Sequence, residues 1–112
     1  MRHTLVGRAI TDAQTVGFTQ LVLDHKGHVL GATIVGPRAG ETLAEVVLAV
    51  GRGLRTRDLA GTAHAYPTYS YGPWDASIDH VRAQLRRPAA ARFLRLLTVA
   101  RRHWVDARAH YR

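Results

Sequence analysis

The feature that most restricts this chain is a change of hydrophobic period at Gly36-Pro37. Before it stand two short runs rich in β-branched and aromatic residues, Phe18-Thr19-Gln20-Leu21-Val22-Leu23 and Val29-Leu30-Gly31-Ala32-Thr33-Ile34-Val35. The polar turn segment Asp24-His25-Lys26-Gly27-His28 separates them, and together they predict an antiparallel hairpin. After Gly36-Pro37, Leu43, Val46, Val47, Val50 and Leu54 recur at spacings of three and four, the signature of a helix buried on one face and ended by Gly51 and Gly53. A hairpin followed by amphipathic helices has one economical arrangement, in which the helices cover a face of the sheet.

The remaining segments extend that outline. Residues 3–9 alternate weakly and are read as a further strand. Thr56 is placed to cap a short helix containing Arg57, Asp58 and Leu59. Residues 63–68 are irregular, because Pro67 disfavours the α region for Tyr66. Ser70 and Pro73 suit the start of a third helix whose stripe is Trp74, Ile78, Val81 and Leu85. Pro88 breaks the chain, and from Ala89 a last helix aligns Phe93, Leu97, Ala100, Trp104 and Tyr111. The expected fold is α+β: a small antiparallel sheet with helices packed on one face, residues 1–87, plus a basic amphipathic helix, residues 88–112.

At 112 residues the chain has room for one domain. There is no Cys, so disulfides, thiolate zinc sites and dithiol redox chemistry need another chain. Apolar runs such as 46–50 fall far short of the ~20 residues a membrane span needs, and no secretory signal is visible, so the cytoplasm is the expected compartment. Charge is divided unevenly. Residues 1–85 carry 8 Lys or Arg against 7 Asp or Glu, whereas residues 86–112 carry 8 Arg against Asp106 alone. The net charge of +8 therefore belongs to the tail, and the body lacks the cationic excess of a nucleic-acid binder.

Three segments in order, Gly17 through Asp24, Gly31-Ala32-Thr33-Ile34-Val35-Gly36-Pro37-Arg38-Ala39-Gly40-Glu41, and Asp58-Leu59 through His64-Ala65-Tyr66-Pro67-Thr68-Tyr69-Ser70, carry a resemblance. Over residues 5–85 or so the chain resembles the C-terminal dimerisation domain of the pyridine nucleotide-disulfide oxidoreductases, the family of dihydrolipoamide dehydrogenase and mercuric reductase. The resemblance implies a domain that belongs to an FAD-dependent, NAD(P)H-using enzyme, forms a homodimer or joins a flavoprotein subunit, and is N-terminally truncated here, lacking the first strand and helix. It also implies a cis peptide before Pro67 and a Tyr66-Pro67-Thr68 loop turned toward the partner's FAD. No Gly-x-Gly-x-x-Gly run opens a helix in this chain, so the isolated chain is expected to hold no FAD and to be inactive.

Family members such as lipoamide dehydrogenase carry a His directly before the Pro-Thr and a Glu five residues after that His, an acid-base pair. This chain has Tyr66 and Tyr71 there. An ordinary phenol titrates near ~10 against ~6.5 for imidazole, which argues against a general base and aligns the loop with mercuric reductase and its kin. His64 is the alternative base, with a surface or hydrogen-bonded histidine as the simpler reading. Leu43, Val46, Val47, Val50, Tyr66 and Tyr69 are the expected interface residues.

Other signals are bland. His25 and His28 lack the third ligand of a stable metal site, so no metal is expected. Ser70 lacks a Gly-x-Ser-x-Gly elbow, and Glu41 and Glu45 read as helix-dipole or solvated-face residues. The basic helix has three readings: covering protein first, lying on an anionic membrane surface second, touching nucleic acid last. The alternative to the interface module is a non-catalytic or peripheral-membrane protein that uses this helix.

Overall fold

The computed structural model describes residues 1–109, so Tyr111 at the end of the predicted stripe lies outside the described residues. The chain forms a 3-10 turn (His3–Leu5), α1 (Gly7–Thr11), β1 (Phe18–Leu23), β2 (Val29–Val35), α2 (Ala39–Gly51), α3 (Thr56–Ala60), α4 (Tyr71–Leu85) and α5 (Pro88–Ala109). It divides into two compact units, one covering Met1–Val81 and one beginning at Arg82. The architecture is α+β with a two-stranded antiparallel sheet, as the period change predicts.

The hairpin pairs Phe18 with Val35 through Val22 with Gly31, and a bulge then brings Leu23 opposite Val29. Asp24 makes the turn: its Oδ1 accepts the backbone N–H groups of Lys26 and His28, each at 2.8 Å. Alternation sends Val29, Ala32, Leu21 and Leu23 toward α2, where with Val46, Ala49, Leu54 and Leu59 they build the first core. The opposite face of the hairpin keeps Phe18, Val22, Leu30 and Val35 exposed.

The expected strand over residues 3–9 is instead the 3-10 turn and α1. Val6 and Ala9, three residues apart, pack with Tyr69 into a second core, and that spacing needs a helical turn. On the side of the N-terminal segment, Arg2 forms an isolated bridge with Phe18 of β1. His3 is buried at the junction, its Nε2 3.0 Å from Thr19 Oγ1. Gly17 and Gly36, with φ of 148° and 147°, lie against its ring: a Cβ on either would come within 2.8 Å of Nδ1. Burial pushes the His3 imidazole below its ordinary range.

Three helical readings need correcting. The face of α2 buried in its own chain is Thr42, Val46 and Ala49, which shares Val46 with the predicted stripe and leaves Leu43, Val47 and Val50 outside it. Thr56 does not cap α3; it is buried with its hydroxyl 2.7 Å from His80 Nδ1, and Asp58 accepts the Arg55 N–H at the helix start. The most buried α4 residues are Gly72, Pro73 and Ser77, again beside the predicted stripe. In each case small residues allow the closest approach, and a pattern search for large apolar residues passes over them.

Candidate functional site

Between α3 and α4 the segment 61–70 returns toward α2, and it carries the loop singled out by the sequence. The Tyr66-Pro67 peptide is cis, as the resemblance implies. Thr68 Oγ1 donates to Ala65 O at 2.8 Å across the bend. Tyr66 is 67% exposed, yet its ring rests on Gly7: a Cβ there would meet ring carbons at 2.8 Å. Tyr71, in the first turn of α4, meets Tyr66 edge-on with centroids 5.0 Å apart. Residues five apart in sequence are thus brought together. Trp74 lies one turn further, its ring centroid 4.6 Å from that of Tyr71 and tilted to it, so the Tyr66 loop is backed by a series of ring contacts.

The other end of this ring series is His64, whose centroid is 5.9 Å from Trp74. Its Nδ1 donates to Thr62 O at 3.0 Å, and the Trp74 indole N–H donates to the same carbonyl at 3.1 Å. Its Nε2 lies 2.6 Å from Glu45 Oε1, and the His64 side chain is only 8% exposed. Both ring nitrogens are engaged. Glu45, read from sequence as a solvated or dipole residue, is the anchor by which α2 holds the loop.

Behind the loop is an open pocket of about 370 Å³ lined by Arg8, Arg38, Glu41, Thr68, Tyr69 and Ser70, among others. Tyr69 Oη donates to Asp12 Oδ2 at 3.0 Å, and Arg8 Nε donates to the same oxygen at 2.9 Å. Arg8 holds the Asp12 carboxyl below its usual range, while burial, and then Asp12, push the Tyr69 phenol up.

The expected interface residues divide. Val46 and Tyr69 are buried inside the chain, whereas Leu43, Val47 and Val50 are 37%, 61% and 40% exposed along one face of α2. Apart from them, His28 is committed to structure: Asp24 Oδ2 lies 2.7 Å from Nδ1, and Arg55 Nε donates to Nε2 at 3.0 Å. His28, more than two backbone N–H groups, holds Asp24 down to about 2.

Comparison with known proteins supplies the family. The profile of the pyridine nucleotide-disulphide oxidoreductase dimerisation domain matches residues 1–76. The chain belongs to this family. Relatives include the dihydrolipoyl dehydrogenase of Halobacterium salinarum, 43% identical over 72 residues that make up 63% of this chain and 15% of the relative. The enzyme of the same name from Haemophilus influenzae is 46% identical over 63 residues, 55% of this chain and 13% of its own length. The chain thus spans about a seventh of the length of these relatives. Trp74, Glu45 and Gly7 are the site residues that sequence reasoning missed: the first read as core and the second as surface. Gly7 carries no local signal, since its partner Tyr66 is distant in the chain.

Proposed function

We propose that this domain joins two subunits of an FAD-dependent, NAD(P)H-using oxidoreductase and lends the Tyr66-Pro67-Thr68 loop to the flavin site of the subunit opposite. The observation that carries the reading is the exposed Tyr66, backed by Tyr71 and braced through His64 to α2, at the positions where the family's acid-base pair stands. Among the family's interface residues, Leu43, Val47 and Val50 supply the self-complementary apolar face that a two-fold contact needs. Val46 is buried in the first core and Tyr69 in the second.

The flavin, bound by other domains, would supply the electron transfer. This chain's part is positional. Tyr66 offers a phenol that donates or accepts one hydrogen bond, and Thr68 closes the bend. With tyrosines in place of His and Glu, the loop supports substrate contact rather than general-base catalysis. His64, with both nitrogens engaged, acts as a brace.

The test uses the protein in which this segment accompanies its flavin-binding domains. Tyr66→Ala should change flavin fluorescence and absorbance, while Tyr69→Phe should leave both unchanged. Flavin spectra indifferent to Tyr66 would refute the loop assignment, and a monomer at micromolar concentration would refute the pairing.

A further inference from the structure

We propose that α5 is an in-plane anchor for an anionic lipid bilayer, independent of the flavin-site reading. The family match covers residues 1–76 and does not account for this helix. At 100° per residue, Leu96, Ala100, Phe93, Trp104 and Leu97 fall within an arc of about 100°. Phe93, Leu96, Leu97 and Trp104 are 61%, 69%, 50% and 57% exposed. Arg92 and Arg101 flank this arc on either side, and Arg95 and Arg102 lie opposite it, all exposed.

Each class of occupant makes a different demand. A nucleic acid would engage the arginines and leave Phe93 and Leu97 in water. A protein face would cover the apolar arc but would need carboxylates along both of its borders, and the body, with its 8 Lys or Arg against 7 Asp or Glu over residues 1–85, carries no acidic excess to supply them. A second copy of α5 would bring the same arginines and repel. The boundary between headgroups and acyl chains meets both demands at once: the apolar arc enters, and the arginine stems reach back to phosphate. Spanning is excluded for α5, because no helix among the described residues is long and apolar enough to cross a membrane.

The experiment is co-sedimentation of the full chain with vesicles of phosphatidylcholine alone or with a third phosphatidylglycerol, at low salt and then at physiological salt. Binding should require phosphatidylglycerol and weaken with salt. The double variant Arg95→Glu, Arg102→Glu should weaken it at least tenfold, and Phe93→Asp should weaken it comparably while leaving the thermal transition of the body unchanged. If a variant loses helix content by circular dichroism, Leu96→Ser and Arg101→Gln replace it. No binding to anionic vesicles at low salt would overturn the proposal. So would binding that ignores Phe93→Asp and is displaced by a DNA duplex, which would assign the helix to nucleic acid.

Discussion

Helix α2 has two apolar faces, and they differ in what covers them. Thr42, Val46 and Ala49 lie at 4%, 1% and 0% exposure against the hairpin, while Leu43, Val47 and Val50, one residue round, remain open. The buried face is built from small and medium side chains that let helix and sheet approach closely. The open face carries larger side chains that its own chain covers only in part. A single run of residues thus holds both a core face and an exposed apolar face, and hydropathy alone cannot separate them.

The largest effect that tests this division is Val46→Asp. An unpaired carboxylate in the first core should cost more than about 4 kcal/mol and abolish the cooperative thermal transition. Val47→Glu should do the reverse: the folded monomer keeps its stability to within about 0.5 kcal/mol, and self-association disappears in sedimentation velocity. If Val47→Glu unfolds the chain, the two faces are not distinct.

Acid should loosen the hairpin on which the buried face of α2 packs, near the two ends held by His3 and Asp24. The His3 imidazole is lowered in the folded state, so its contribution is intact above about 6.5 and declines as pH falls and the unfolded chain takes up the proton first. Asp24 is held down to about 2, so its contribution is present above about 4 and is lost between there and about 2. Denaturant midpoints should step down in these two windows, and His3→Gln should remove the upper step. Gly7→Ala should have the smallest effect on stability. It displaces the Tyr66 ring, read as a change in tyrosine chemical shifts with both faces of α2 undisturbed.

The hairpin, its turn and the approximate span of every later helix were legible in the sequence, because each rests on local periodicity or turn chemistry. The N-terminal helix was not: Val6, Ala9 and Tyr69 form one cluster, and the last lies some sixty residues from the first two. The same limit applies at the site. The loop could be found by motif, and the approach of Tyr66 to Tyr71 spans only one helical start. The bond from His64 to Glu45, 19 residues apart, and the seat of Tyr66 on Gly7 depend on how segments meet in space. Small buried residues such as Thr42, Ala49 and Ser77 escaped notice because their role is to be thin.

The bond between His64 and Glu45 has a mechanical corollary. In the proposed pairing, the helix whose outer side would meet a neighbouring subunit is also the post to which the aromatic bend is tethered, so a roll of that helix on assembly would reach the bend through this one link. On that proposal, pairing of subunits and aiming of the tyrosine would be a single motion.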